Sequence, residues 1–339
     1  MRAVAAGGAF SVLRITPEEV SYSMGRRRSL LVFAGSASPA LTCAICRALG
    51  VRPGACDARH FSEGNTFVRV LENVRGKDVY VVQSLTQPVN DHFMELLFYV
   101  DALKRASADS VTAVIPFFSY GKGDKKDEPR VSLRARVCAD CLETAGVDRV
   151  VTLDLHAPQI QGFFRVPVDH LYALPAFVAR LRRTVTRDWV VVAPDAGAIH
   201  MANSYARVLG TETAVAEKRR SAHDEQAAVR RIIGDVRGRD ALIVDDFTTS
   251  GGTLVATAVH LKAQRAKRVC ALVTHGVLAP GAAARIDASP IDRLLLTDTV
   301  AVPPERLPRN AHVVTVAPLL ARALRNIHDR TSISVLFQS

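Results

Sequence analysis

Aromatic residues are scarce in this chain of 339 residues, where Phe, Trp and Tyr make up 6% and Trp occurs once. Proteins that bind single-stranded nucleic acid usually interleave basic side chains with aromatic rings on which the bases stack, so this composition argues against a nucleic acid partner. No run approaches the ~18 consecutive apolar residues of a membrane span, so we expect no membrane partner. The net charge of +11 nevertheless indicates a ligand rich in phosphate.

Cysteine is also rare, with six residues in the chain. Cys43 and Cys46 form one C-x-x-C pair, and Cys138 and Cys141 form another. Both pairs lie among apolar residues in segments that are predicted to be helical, and the gap between them is far longer than a zinc ribbon allows. We therefore predict core cysteines in a reducing cytoplasm rather than a metal site.

The most informative stretch is residues 241–254, which reads Ala-Leu-Ile-Val-Asp-Asp-Phe-Thr-Thr-Ser-Gly-Gly-Thr-Leu. An apolar strand ends in two acids, and a loop rich in hydroxyls and glycine leads into a predicted helix at 254–262. We call residues 245–253 the sugar-phosphate loop. Its candidate ligand-binding residues are Asp245, Asp246, Thr249, Ser250, Gly251, Gly252 and Thr253.

Such a strand–loop–helix unit is where an open α/β sheet binds ligands. Glycines and helix N–H groups favour a phosphate, whereas Asp245 and Asp246 would repel a bare one. The acids make sense if they hold a metal or accept hydrogen bonds from sugar hydroxyls, so the loop predicts a phosphorylated sugar. An acidic cap before a core helix is the plainer alternative, but a cap does not require this combination of residues.

The same strand could be the Walker B strand of a P-loop NTPase, which also requires a G-x-x-x-x-G-K-[ST] partner. The nearest candidate is Gly121-Lys122, but Gly123 follows it and Pro116 stands where the first Gly belongs. We reject this alternative.

Along the rest of the chain, predicted strands and helices alternate, which indicates parallel sheets with helices on both faces. Two successive runs of the pattern predict two similar domains, at 29–170 and 171–316, preceded by an N-terminal extension at 1–28 that is expected to be disordered and dispensable. A final helix at 317–328 begins the C-terminal segment 317–339. The predicted strands are 30–34, 79–83, 111–117, 150–154, 189–193, 213–216 and 268–274. The predicted helices outside the sugar-phosphate unit are 39–49, 90–106, 133–145, 174–182, 197–209 and 317–328.

A second informative stretch, Asp-Leu-His-Ala-Pro-Gln-Ile-Gln-Gly-Phe-Phe at 154–164, follows a predicted strand. An isolated Asp-x-His signal is weak, because His156 could be a metal ligand, a general base or part of a capped loop.

The surrounding sequence resembles the ribose-phosphate pyrophosphokinase (PRPP synthetase) family from about residue 32 to residue 337. The matching motifs include 73–84, 154–164, Pro-Asp-Ala-Gly at 194–197, the sugar-phosphate loop and Thr-His-Gly at 274–276. The loop itself resembles the PRPP loop of the phosphoribosyltransferase fold. The resemblance therefore implies an α/β fold class with two tandem phosphoribosyltransferase-type (Rossmann-like) domains, each with a mainly parallel sheet flanked by helices.

The resemblance also implies an activity, the transfer of the diphosphoryl group of Mg-ATP to ribose 5-phosphate, with Mg²⁺ as cofactor. It implies that the sugar-phosphate loop binds ribose 5-phosphate and that His156 and Asp195 contact the metal. It implies a pyrophosphate loop at Asp195, Ala196 and Gly197. Catalysis would fall to Lys218 and Arg220, for which a solvated basic turn is the alternative. The residues implied to bind ATP are Phe61, Glu63, Asn65, Lys122, Asp124 and His156.

Several positions depart from the family pattern. Lys122-Gly123 replaces Arg-Gln, a pair that the resemblance implies reaches a neighbouring subunit's ATP, and Thr249 replaces a third acid. Pro158 and His170 stand at the regulatory site, where the family has small or amide side chains. We therefore expect near-normal sugar affinity and a raised KM for ATP, which Lys122→Arg with Gly123→Gln should correct.

Three alternatives remain open at this point. The chain could be an associated regulatory subunit of a PRPP synthetase, with weak or no catalysis, or a phosphoribosyltransferase that uses PRPP. Phe61 could be a core residue rather than a ring against adenine. Self-association as a dimer or hexamer is expected from the shared ATP site.

Overall fold

The computed structural model describes the backbone of residues 29–219 and 228–336, without the side chains of 218, 219, 228–230 and 335. The expected extension 1–28 and Arg220 therefore lie outside the described residues. Within those residues, none of the helices combines the length and apolar character that crossing a membrane requires.

The first half of the described chain forms a sheet of five parallel strands in the order β1-β4-β5-β6-β7, with β2 and β3 paired as a separate antiparallel hairpin. The strands are β1 (Leu30–Ala34), β2 (Cys56–His60), β3 (Thr66–Val70), β4 (Asp78–Val82), β5 (Ser110–Ile115), β6 (Arg149–Leu153) and β7 (Val168–Leu171). The helices are α1 (Pro39–Leu49), α2 (Val89–Arg105) and α3 (Arg134–Ala145).

The second half forms a seven-stranded sheet in the order β10-β9-β8-β11-β12-β13-β14, parallel except for the pair β9–β10. The strands are β8 (Trp189–Ala193), β9 (Glu212–Arg219), β10 (Ala228–Ile233), β11 (Asp240–Thr248), β12 (Val269–Gly276), β13 (Arg293–Thr297) and β14 (Ala311–Val314). The helices are α4 (Leu174–Leu181), α5 (Ile199–Leu209), α6 (Gly252–Ala263), α7 (Ala282–Asp287) and α8 (Ala317–His328).

The central strands of both sheets are apolar and buried along their length. All residues of β4, β8 and β12 are buried, as expected for strands that are covered by helices on both faces. The predicted α/β class with mainly parallel sheets is confirmed. The strands β2, β3, β7, β10, β13 and β14, and the short helix α7, were not predicted from the sequence.

The second sheet contains a topological switch point between β8 and β11. From β8 the chain passes to β9 on one side, whereas from β11 it continues to β12, β13 and β14 on the other. The crevice outside the carboxyl ends of the strands at such a point is the usual ligand site of an open α/β sheet. The segment after β8 begins at Pro194, and the sugar-phosphate loop begins within β11, which continues past the two acids to Thr248, so the two loops lie side by side.

Helix α8 returns from the second sheet to pack against α1, next to the first sheet. Tyr80 Oη donates to the Leu324 carbonyl, Arg325 Nη2 donates to the Leu49 carbonyl, and His328 Nδ1 lies 2.8 Å from Asp78 Oδ2. One apolar core accordingly contains residues of both halves.

The prediction of core cysteines is correct for Cys46 and Cys138, which are buried, and wrong for Cys43, which is exposed, while Cys141 is half-buried. Helix α1 buries a face that includes Ile45 and Cys46, and Cys43 lies beside that face rather than on it. All six cysteines are free thiols.

Candidate active site

The two acids of the sugar-phosphate loop lie near the end of β11. The Asp246 N–H donates to Asp245 Oδ1 (3.1 Å), and the Phe247 N–H donates to Asp246 Oδ1 (2.9 Å). Residues 241–244 behind them are fully buried. The two carboxylates are therefore fixed by backbone N–H groups at the point where the buried strand reaches the crevice.

Gly251 allows the loop to turn into α6. Its φ of +74° is unfavourable for other residues, and a Cβ there would lie 2.9 Å from Ile286 Cγ1. Gly252 then begins α6, and its N–H lies 3.3 Å from Ser250 Oγ. The first N–H groups of the helix thus adjoin the loop hydroxyls, an arrangement suited to a phosphate.

Arg285 is a neighbour of this loop that sequence reasoning missed. Its Nη1 donates to the Ser250 carbonyl (3.2 Å), from a position on α7. The side chain is exposed, so its charge can reach an anion in the loop. Nothing in the local sequence around 285 indicates this contact, because folding brings α7 to the loop.

Asp195 begins the turn that follows β8. Its Oδ1 accepts hydrogen bonds from the N–H groups of Gly197 (2.9 Å) and Ala198 (3.3 Å), so it caps the short turn Ala196–Ala198 that leads into α5. This turn contacts β8, β9 and β11. The predicted pyrophosphate loop therefore lies at the switch point, beside the sugar-phosphate loop.

His156 joins the two halves of the molecule. It follows β6 of the first sheet, and its Nδ1 lies 2.8 Å from Asp246 Oδ2 of the second. The hydrogen bond to Asp246 raises the pKa of His156 above its usual value. Burial alone would raise the pKa of Asp246, but the hydrogen bond and charge of His156 outweigh burial and lower it. The Asp246 carboxylate can only accept, so Nδ1 of His156 carries a proton and donates it to Asp246 Oδ2.

His170 supports the turn that carries His156. The Leu155 N–H donates to His170 Nε2 (2.9 Å), and the ring is 3% exposed. Burial, together with the nearby His275, lowers the pKa of His170 to about 4, so the ring is neutral at physiological pH and its Nε2 can accept.

We expect His170→Asn to reduce the loss of stability at acid pH. A histidine with a lowered folded pKa contributes stability above its unfolded pKa of about 6.5, and this contribution is lost as the pH falls toward 4. The parent should therefore lose about 2 kcal/mol more than the variant between pH 7 and pH 5. Urea unfolding at both pH values measures this difference, with His312→Asn, at an exposed histidine, as control. Equal losses for parent and His170→Asn would contradict the prediction.

Lys122 lies in the same cleft as His156, on the short helix Ser119–Gly123 after β5. Its Nζ is 3.8 Å from the centroid of the Phe247 ring, a cation–π contact with the sugar-phosphate loop of its own chain. Asp124 is half-buried nearby, and its charge helps to raise the pKa of His156. The expectation that Lys122 reaches a neighbouring subunit's ATP concerns a second copy of the chain and stays a prediction.

Gly123 cannot accept the side chain that the resemblance suggested restoring. A Cβ built there would lie 2.6 Å from Arg134 Nε and 2.8 Å from Arg134 Cβ. Gly123 does not have a positive φ, so its role is to allow the close approach of Arg134. The expected repair with Gly123→Gln is therefore wrong on steric grounds.

Phe61, Glu63 and Asn65 lie elsewhere, at the exposed tip between β2 and β3. Phe61 is 42% exposed, which rules out the alternative that it is a core residue, and its ring centroid is 5.8 Å from that of Phe67. None of the three lines the cleft that contains Lys122 and His156. The residues predicted to bind ATP therefore form two groups in a single chain.

Lys218 lies near the end of β9, opposite Val229 of β10. Strand β9 neighbours β8, which leads to the Asp195 turn. The Lys218 side chain and the whole of Arg220 are outside the described residues, so the structure does not test the predicted catalytic pair.

Fold and site together define an α/β protein of the phosphoribosyltransferase type, with ligand loops at the switch point of its second sheet. Residues 30–146 match the model for the N-terminal domain of ribose phosphate pyrophosphokinase, and residues 222–338 match that for the phosphoribosyl synthetase-associated domain.

Full-length relatives agree with these matches. The chain is 45% identical to "Ribose-phosphate pyrophosphokinase" of Granulibacter bethesdensis over 87% of this chain and 95% of that protein. It is 44% identical to the protein of the same name from Burkholderia pseudomallei, over 93% and 99%. The crystal structure of phosphoribosylpyrophosphate synthetase from Mycobacterium smegmatis superimposes with a TM-score of 0.85 at 38% identity, covering 89% of this chain and all of that one. The chain belongs to the ribose-phosphate pyrophosphokinase family.

Proposed function

We propose that this protein is a ribose-phosphate diphosphokinase, which transfers the β,γ-diphosphoryl group of Mg-ATP to the 1-hydroxyl of ribose 5-phosphate. The observation that carries the proposal is the 2.8 Å contact between His156 Nδ1 and Asp246 Oδ2. It joins the segment implied to bind nucleotide to the loop implied to bind sugar, so both substrates would meet in one cleft.

The sugar-phosphate loop would bind the sugar substrate. The hydroxyls and the N–H groups at the start of α6 would hold the 5-phosphate, with the guanidinium of Arg285 nearby. Asp245 and Asp246 would accept hydrogen bonds from the ribose hydroxyls. The ribose would then be oriented with its 1-hydroxyl toward the nucleotide.

The nucleotide side would supply positive charge to the phosphates through Lys122, Lys218 and Arg220. The sugar 1-oxygen attacks the β-phosphorus and loses its proton, and the bond from that phosphorus to the α,β-bridging oxygen breaks, releasing AMP. Phosphoryl transfer of this kind depends mainly on positioning and on neutralising charge.

Mg²⁺ is the cofactor that we propose, and the oxygen donors around the switch point fit it. Among the described residues, no three His, Cys, Asp or Glu side chains are arranged to hold a metal by themselves. Mg²⁺ commonly takes one or two protein carboxylates together with substrate phosphates, and Asp195 can supply such a carboxylate. His156, whose Nδ1 is bonded to Asp246, keeps Nε2 for this purpose. When bound, the ion would neutralise phosphate charge.

A coupled assay for AMP release tests the proposed function. Turnover should require ATP, Mg²⁺ and ribose 5-phosphate together. Absence of turnover from folded protein would favour an associated regulatory subunit, and turnover only with PRPP and a base would favour a phosphoribosyltransferase.

We also propose a domain division near residue 170 and a cytoplasmic location. The two separate sheets support the division, since β7 ends at Leu171 and α4 begins at Leu174. Six free thiols suit a reducing compartment.

We expect the protein to self-associate, with the hairpin of one copy completing the cleft of another. The support is that Phe61, Glu63 and Asn65 do not line the cleft of their own chain.

Sedimentation should show at least a dimer. Mixed oligomers of inactive Phe61→Ala and His156→Ala subunits should recover about a quarter of parental activity, because random pairing rebuilds one intact site in half of the dimers. Mixed oligomers without activity, or a fully active monomer, would refute the shared site.

Lys122→Arg should lower the KM for ATP. The guanidinium can bind phosphate oxygens with two parallel hydrogen bonds, whereas the ammonium acts as a point charge. We expect a decrease of about tenfold, equivalent to ~1.4 kcal/mol, with the sugar KM nearly unchanged. Steady-state kinetics measures both constants. Lys267→Arg is the control, because Lys267 is exposed just before the amino end of β12. An unchanged KM for ATP would mean that the lysine is a neutral replacement.

A further inference from the structure

A buried hydrogen-bond network joins the two sheets directly behind the cleft. Thr274 Oγ1 of β12 donates to Asp154 Oδ2 (2.6 Å), just after β6. His275 Nε2 lies 3.2 Å from the Leu153 carbonyl, and its Nδ1 lies 2.9 Å from Thr299 Oγ1. Asp154, Thr274, His275 and Thr299 are each at most 4% exposed. The contacts of Thr274 with Asp154 and of His275 with Leu153 therefore cross between the halves of the molecule without access to solvent.

The network fixes an unusual backbone conformation two residues before His156. Asp154 has a φ of +34°, which is rare for a residue with a Cβ and needs support from its surroundings. Its Oδ2 supplies that support by accepting from the Ala173 N–H (3.1 Å) as well as from Thr274. The direction in which the chain leaves β6 thus depends on a hydroxyl from the second sheet.

The same strand of the second sheet also holds the sugar-phosphate loop. In the register of β11 and β12, His275 pairs with Phe247, the residue after Asp246. Beyond β12, the Val277 N–H donates to the Thr248 carbonyl (3.0 Å) and the Ala279 N–H donates to the Thr249 carbonyl (2.8 Å). One strand end therefore touches both the sugar-phosphate loop and the turn that carries His156.

The chemistry of His275 suits a structural contact rather than proton transfer. Burial lowers its pKa to about 4, so the ring is neutral at physiological pH. The carbonyls near Nε2 can only accept, so Nε2 carries the proton and Nδ1 accepts from the Thr299 hydroxyl.

We propose that Thr274 and His275 are positioning residues that set the contact between His156 and Asp246 and so align the nucleotide site with the sugar site. The inference rests on the proposed function, because it needs His156 to act in catalysis. Neither residue touches substrate in this account.

Thr274→Val is the first test, because it removes the hydroxyl and keeps the shape of the side chain. We expect kcat to fall roughly 10²-fold, as a misplacement of about 1 Å can produce, with little change in either KM. Thr274→Ser should restore most of the activity. Thr42→Val is the matched control, since Thr42 is also fully buried and its Oγ1 donates to the Ser38 carbonyl (2.6 Å) within the first half of the chain. A loss no larger than that of Thr42→Val, or no rescue by serine, would overturn the proposal.

A double-mutant cycle with His156→Ala separates positioning from general destabilisation. If Thr274 acts through His156, Thr274→Val should have no further effect in the His156→Ala background, whereas independent effects would multiply. Multiplying effects would overturn the positioning proposal and leave the proposed function intact. Near-parental activity of His156→Ala alone would instead overturn the role proposed for His156. If Thr274→Val does not fold, Thr299→Val is the second variant, because it removes the hydroxyl bonded to His275. Its effect on kcat should likewise vanish in the His156→Ala background.

Discussion

Replacing Lys218 or Arg220 with alanine is expected to lower kcat by about 10³-fold, by analogy with cationic side chains that stabilise phosphoryl transfer. The KM values should change less, because such contacts strengthen in the transition state. Steady-state kinetics of the two variants measures the effect. The prediction depends on Lys218 lying near the end of β9, beside the strand that leads to Asp195.

Arg219→Ala is the matched control for this pair. Arg219 lies between the two residues in the sequence, and the resemblance implies no catalytic role for it. It carries the same charge and should retain most of the activity. Near-parental turnover of both Lys218→Ala and Arg220→Ala would contradict the catalytic role of the pair. An equal loss in Arg219→Ala would show that the basic segment acts only through its general charge.

The second large effect is expected for Asp245→Asn and Asp246→Asn. Each substitution keeps the size of the side chain and removes a charged hydrogen-bond acceptor, which contributes ~1.5–3 kcal/mol when paired. We expect kcat/KM for ribose 5-phosphate to fall about 10²-fold in each variant. Asp246→Asn should also weaken the contact with His156, and so lower kcat at saturating substrate more than Asp245→Asn does.

Steady-state kinetics with varied ribose 5-phosphate measures these effects. Asp235→Asn, at an exposed acid of the same sheet's loops, is the control and should be neutral. Unchanged sugar kinetics in both loop variants would mean that the acids only cap the loop.

The helices were the most predictable part of the fold. Helix α1 begins and ends where the sequence indicates, because Pro39 is favoured at the first helical position and Gly50 adopts the left-handed conformation (φ +73°) after the last one. The hairpin β2–β3 was missed because β2 is polar and largely exposed, while β3 is short and only half-buried, so neither strand shows the buried apolar run on which strand prediction depends.

The site was predictable where its chemistry is contiguous in sequence. The sugar-phosphate loop and the Asp195 turn each contain their own acids, hydroxyls or glycines, and both lie at the switch point. Contacts between distant residues carried no such signal, as with Thr274 and Asp154, which are 120 residues apart. The sequence equally gave no sign of the clash that a side chain at position 123 would make with Arg134, because that clash depends on how α3 packs against the cleft.

The most direct test of the account is product analysis by ³¹P NMR after incubation of the protein with Mg-ATP and ribose 5-phosphate. We expect AMP and a sugar carrying a diphosphate at its 1-position, formed in equal amounts and only when ribose 5-phosphate is present. Formation of ADP, which would indicate transfer of the γ-phosphoryl group alone, or the absence of any sugar diphosphate from folded, oligomeric protein, would contradict it.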